Sequence, residues 1–154
     1  MSNTIDITIE RIYEYNYHKF NDMVSWRING VERSSTEKEQ SPNTAFKEAC
    51  GELSHQGFYV FAAEYKGRFI GWITLMYTPK IGAWEKGVIY VDELWTAPEF
   101  RRRGVARKLM EKAFEIQSEI GAVKVRLYTS NIAAQKLYEK CGLLAKGSAI
   151  FMES

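Results

Sequence analysis

Two carboxylates stand side by side in the otherwise apolar run Tyr90-Val91-Asp92-Glu93-Leu94-Trp95-Thr96. Adjacent acids in such a run are costly to bury without a partner, which favours a functional cleft. A few residues later comes Arg101-Arg102-Arg103-Gly104-Val105-Ala106-Arg107, at the start of a long segment with helical apolar spacing. A helix start presents backbone N–H groups without intrahelical partners and a partial positive charge, which together hold a phosphate or pyrophosphate. Gly104 lets the backbone come close to such an anion, small Ala106 leaves the next turn open, and the arginines add mobile charge. Neither the GxxxxGK[ST] loop nor the GxGxxG fingerprint is present. A third constellation is Asn131-x-x-Ala134-x-x-x-Tyr138-x-x-x-Gly142, which puts a polar amide at a helix start and a phenol two turns along.

The elements that must position these groups are legible in the pattern. Ile5, Ile7 and Ile9 alternate with polar residues as in a half-buried strand, and residues 14–29 turn helical through Tyr17, Phe20, Val24 and Ile28. Residues 31–43 read as a loop or frayed helix, and a second helix follows around Ala45, Cys50 and Leu53, ending before Gly57. Residues 58–65 and 68–77 form strands joined by a Lys66-Gly67 turn, residues 78–87 a loop, and residues 88–96 another strand. A helix runs from Gly104 through Val105, Leu109, Ala113, Ile116 and Ile120 to Gly121. A short strand over 123–128, a helix over 131–141 and a final strand over 143–152 complete the chain. The order β-α-α-β-β-β-α-β-α-β predicts an α/β or α+β layered fold, one domain over residues 1–154.

Composition narrows the function classes. The 154 residues are 45% hydrophobic and 26% charged, which excludes disorder and a fibrous chain. The formal net charge is only +2, but six basic residues against two acidic ones between Glu99 and Lys112 give that segment +4. The rest of the chain therefore sums to −2, and the charge calls for one small anion rather than a nucleic acid. Cys50, Cys141, His18 and His55 form no metal-ligand spacing, and no metal is expected. His18 or His55 could serve as a base, though a lone histidine is more often structural. No run approaches the ~18 apolar residues of a membrane span, so a cytoplasmic location without a membrane partner is expected. Trp26, Trp72, Trp84 and Trp95 read as core or pocket-lining residues.

The succession RxxGxA then NxxAxxxYxxxG, over about residues 88–143, resembles the cofactor-binding core of the GNAT superfamily of N-acetyltransferases. The resemblance implies a mixed, mostly antiparallel sheet with helices on both faces, and a parallel strand pair, 88–96 and 123–128, that splays around acetyl-CoA. It implies that Leu94, Trp95 and Thr96 pair with the pantetheine arm and that Arg101 to Ala106, with Arg107, hold the pyrophosphate. Asn131 would contact the cofactor arm, and Tyr138 would protonate the leaving thiolate. Leu143, where the family often has Phe, and Ala106, where it often has Gly, are tolerated departures. With few residues after Gly142, the family's two terminal strands are expected to be shortened or merged.

The implied reaction is direct transfer of acetyl to a primary amine, which must first lose a proton to a base or a water relay. The run around Asp92 is most similar to polyamine acetyltransferases, where an acid at that position acts as base. Neighbouring strand residues face opposite sides, so only one of Asp92 and Glu93 should serve unless a bulge intervenes. Asp92 is favoured and Glu93 is second. A backbone N–H of residues 94–96 suits the developing oxyanion. The expected acceptor is a small amine, polyamine-like or aminoglycoside-like, and a homodimer is expected from the family. Alternatives are acetylation of a protein N-terminus or lysine, and a non-catalytic acyl-CoA sensor.

Overall fold

The computed structural model describes residues 4–82 and 85–154, so Trp84 lies outside the described residues. Five strands form one sheet in sequential order: β1 (Thr8–Arg11), β2 (Phe58–Tyr65), β3 (Arg68–Thr78), β4 (Val88–Thr96) and β5 (Val125–Arg126). The first four are antiparallel neighbours, and β5 runs parallel to β4. The β2–β3 hairpin turns on Lys66 and Gly67, both with positive φ, which suits the twist of the two strands. The expected first strand is displaced: Ile5 instead gives its N–H to the Arg103 carbonyl, backing the loop before the long helix.

Helices cover both faces. On one, α1 (Tyr17–Asn29) buries Phe20, Met23 and Trp26, one to two turns apart, and Phe20 meets Trp72 of β3 edge-on at 5.3 Å. On the other, α4 (Val105–Ile120) buries Val105, Leu109, Met110, Ala113 and Ile116 against Phe61, Ile73, Leu75 and Ile89. Each of the larger of these side chains (Val, Leu, Ile, Met, Phe) contributes roughly 1.5–3 kcal/mol when removed from water. Gly71 lets β3, β4 and α4 close up, since a Cβ there would stand 2.8 Å from the Trp95 carbonyl oxygen and 3.1 Å from Val105.

One expectation is refined and another is corrected. Residues 31–43 contain α2 (Ser35–Gln40), started by a reciprocal cap in which Ser34 Oγ accepts from the Glu37 N–H and Glu37 accepts from the Ser34 N–H. After it come α3 (Lys47–Leu53) and, late in the chain, α5 (Ile132–Lys140). The closing strand over 143–152 does not form. Its apolar residues fall in two clumps around Gly147 instead of alternating, and the two-residue β5 offers no long edge to join. Leu144, Ile150, Phe151 and Met152 are left 72–87% exposed. Among the described residues no helix is long and apolar enough to cross a membrane, and no His, Cys, Asp and Glu cluster could hold a metal.

Candidate active site

Strand β4 has two unlike edges. Towards β3 it is paired along its length, from Gly71 opposite Thr96 to Thr78 opposite Val88. Towards β5 it is paired only at Ile89–Val125 and Tyr90–Arg126. Beyond Tyr90 the parallel strands part, so the β4 backbone over Leu94, Trp95 and Thr96 lies along an edge that β5 does not use. The β3–β4 register also slips here, Thr74 facing Glu93 while Leu75 faces Val91. Asp92 is therefore the extra residue of a bulge, which lifts the strict alternation of strand side chains.

The two carboxylates differ in their surroundings. Glu93 shares a face with Thr74, Trp72 and Trp95, and Arg27 of α1 donates to it at 2.6 Å. Asp92 is exposed, and no basic side chain among the described residues forms an ion pair with it. Opposite Glu93, the Thr74 hydroxyl is buried without a hydrogen-bond partner among the described residues. Trp95 packs against Trp72 and Trp26, with ring centroids 5.1 and 5.9 Å apart, which holds this end of β4 against α1.

The basic stretch forms the turn from β4 into α4. Arg102 and Gly104 both take left-handed backbone, with φ of 63° and 86°. Gly104 is the N-cap, and no side chain caps the helix. The first-turn amides are thus presented at the end of a 16-residue dipole. Arg101, Arg102, Arg103 and Arg107 are exposed; Arg101 Nε donates to the Thr96 carbonyl at 3.1 Å, tying the loop to the strand. Arg103 lies over the Phe100 ring, 5.9 Å from its centroid.

Across the gap, Asn131 caps α5, its Oδ1 accepting from the Ala134 N–H at 3.0 Å. Two turns on, Tyr138 is half-buried against the α4-side core together with Cys141 and Leu143. Burial, with Cys141 adding to it, pushes the Tyr138 hydroxyl above its ordinary value. Burial likewise raises the Cys141 thiol, against the pull of Arg107. A phenol that keeps its proton at neutral pH is available as a general acid, and a thiol that keeps its own is a poor nucleophile.

A family model described as the acetyltransferase (GNAT) family matches residues 20–143. The chain belongs to that family. The acetyltransferase is similar in structure to an aminoglycoside acetyltransferase from an uncultured soil metagenomic sample, with TM-score 0.77, 19% identity, and 97% and 99% of the two chains covered. It is also similar to an aminoglycoside N-acetyltransferase crystallised with CoA, with TM-score 0.75, 17% identity and coverage of 97% and 95%. A third is the ribosomal-protein-alanine N-acetyltransferase of Brucella melitensis biovar Abortus 2308, with TM-score 0.71, 16% identity and coverage of 97% and 100%. No curated protein sequence matches. The family and the shared fold make this chain an N-acetyltransferase.

Several features of the candidate site escape a reading of the sequence. Arg27 sits in a helix whose periodicity advertised only its apolar face, yet it pairs with Glu93. Arg126 donates to the Tyr90 hydroxyl at 3.1 Å, and Tyr128 stacks on Tyr90 with centroids 6.3 Å apart. The alternation of Lys124, Arg126 and Tyr128 was a signal that these residues share a face, but not of what lies beside them. His18 lines two depressions on the α1 side, neither of which includes Asp92, Glu93, Asn131 or Tyr138. His55 is exposed, 3.7 Å from Glu52.

Proposed function

We propose that this protein transfers the acetyl group of acetyl-CoA directly to the primary amine of a small molecule, in the gap where β4 and β5 part. The observation that supports this most strongly is the meeting of two features. The β4 edge left open beyond Tyr90 leads within a few residues to the uncapped start of α4. Leu94, Trp95 and Thr96 would pair with the amides of the pantetheine arm as a strand pairs with a peptide. The backbone of Arg101, Arg102, Arg103, Gly104, Val105 and Ala106, with the Arg107 side chain, would hold the pyrophosphate. Asn131, its Oδ1 engaged in the cap, keeps an amide nitrogen to donate to that arm.

When bound, acetyl-CoA supplies a thioester carbonyl open to attack by an amine. Asp92 takes the proton from the amine, directly or through a water, because it is exposed at the bulge and without an ion-pair partner among the described residues. Glu93 is second, its charge already met by Arg27. A backbone N–H of residues 94–96 donates to the carbonyl oxygen as charge develops there. Tyr138 gives its proton to the departing sulfur, and its raised pKa keeps that proton in place until it is needed.

Aminoglycoside acetyltransferases among the similar structures make small-molecule amines the first acceptors to test. The similarity to a ribosomal-protein-alanine N-acetyltransferase adds a peptide N-terminus as the second. Thiol release from acetyl-CoA, measured across small amines and a peptide, tests the proposal. Turnover with an amine supports it, and cofactor binding without any turnover would favour an acyl-CoA sensor. A homodimer would cover the exposed Ile150, Phe151 and Met152, and sedimentation tests that expectation.

A further inference from the structure

Several acidic residues of the first half of the chain are engaged within the fold. Asp22 accepts from Arg33 and from Ser41 Oγ, and Glu32 is held by Arg68 and Lys38. Glu64 pairs with Lys19, and Glu37 closes the cap of α2. These carboxylates bind the protein to itself.

The sheet face that carries Glu93 has a different character. Alternation along β3 and β4 places Trp72, Thr74 and Met76 on this face opposite Trp95, Glu93 and Tyr90. Helix α1 lies over the Trp72 and Trp95 end. At the other end Met76 is 40% exposed and Tyr128 is 71% exposed. Tyr128 lies nearly parallel to Tyr90, at 14°, so the two rings form a small aromatic platform. Two cations converge on it: Arg126 Cζ and Lys80 Nζ stand 5.7 and 5.9 Å from the centre of the Tyr90 ring. The Tyr90 hydroxyl registers that positive field, since the hydrogen bond from Arg126 holds it below its ordinary value, with the charges of Arg126 and Lys80 acting in the same sense.

The two cations make the Tyr90 end of this face unfavourable for a further positive charge. That end attracts an anion and offers apolar contact beside it. Tyr90 lies two residues before the bulge, roughly 7 Å along the strand. The long side chains of Arg126 and Lys80 can cover that span, so one small molecule can reach both Asp92 and the two cations.

We infer that the acceptor amine carries a carboxylate or phosphate that is seated on Arg126 and Lys80, next to an apolar part that rests on Tyr90, Tyr128 and Met76. This rests on the acetyltransferase reading of the same site and narrows its small-molecule amine to an amino acid or amino phosphate.

The test compares kcat/KM by thiol release for matched acceptors: tyrosine against tyramine, and O-phosphoethanolamine against ethanolamine, with spermidine and kanamycin as polycations. The anionic member of at least one pair should be preferred by about ten- to a hundredfold, as a charge-assisted contact allows, and both polycations should be poorer than it. Whichever pair shows the preference identifies carboxylate or phosphate. Arg126→Gln and Lys80→Gln should each shrink that ratio, Arg126→Gln towards one. Lys80→Gln, beyond the end of β3, keeps the test open if Arg126→Gln disturbs β5. Turnover without an anionic preference, best turnover with the polycations, or a ratio unchanged in both variants overturns the inference alone. No thiol release with any amine overturns the acetyltransferase reading and the inference together.

Discussion

The sheet divides at β4 into two halves built for different purposes. In the β1–β3 half the strands are paired with their neighbours, β2 and β3 are largely buried, and carboxylates are engaged by Arg33, Arg68, Lys38 and Lys19. The β4–β5 half is paired at two positions, and it carries the bulged Asp92, the uncapped start of α4 and the exposed ring of Tyr128. Backbone and side-chain groups satisfied within the chain contribute stability and are no longer available to a ligand. Those left open in the second half are the ones a ligand would complete. Substitutions should accordingly separate into those that unfold the protein and those that silence it.

The largest effect is expected from Trp72→Ala, which removes a 3% exposed ring that meets Phe20, Trp95 and Arg27. Chemical denaturation should show a loss of about 3–5 kcal/mol, whereas Phe151→Ser in the exposed tail should change stability by less than about 0.5 kcal/mol. Comparable losses would erase the contrast between the halves.

Next comes Tyr138→Phe, expected to lower kcat by about a hundredfold or more with melting temperature and acetyl-CoA affinity unchanged. Because an acid must hold its proton and the Tyr138 pKa is raised, wild-type kcat should not fall on this account until the pH passes the ordinary tyrosine value. An alkaline limb that persists in Tyr138→Phe would assign it to another group.

Gly104→Val is expected to be smaller. A branched residue at φ +86°, with Thr4 3.3 Å from its Cβ, is strained by about 1–2 kcal/mol. Calorimetry should find acetyl-CoA binding weakened about tenfold, and tight binding would remove the loop from the pyrophosphate site.

The smallest effect belongs to the closed half. The Glu32 carboxyl would be raised by burial, but Arg68 and Lys38 outweigh that and hold it low. Its contribution is present above the unfolded glutamate value and lost as the pH falls through the folded one. Glu32→Gln should therefore cost under about 1 kcal/mol at neutral pH, a difference that denaturation at acid pH should find reduced.

What the sequence reveals follows the same division by range. The Lys66-Gly67 hairpin and the long helix to Gly121 are local patterns and appear as expected. The Ser34 and Glu37 cap of α2 was equally local but lay in a polar stretch without an apolar stripe to draw attention to it. The slip that frees Asp92 and the meeting of Arg126 with Tyr90 depend on register between strands, which no single stretch encodes. The closing strand failed for the same reason: a β-prone composition needs an edge to pair with, and β5 is two residues long.

The central claim is that the open half holds acetyl-CoA and the amine together and moves the acetyl group in one step, without a covalent link to the protein. Initial velocities measured while both substrates are varied test it most directly. Intersecting double-reciprocal lines are the expected result, in keeping with the Cys141 thiol that burial keeps protonated. Parallel lines, with an acetylated protein trapped when the amine is withheld, would contradict it.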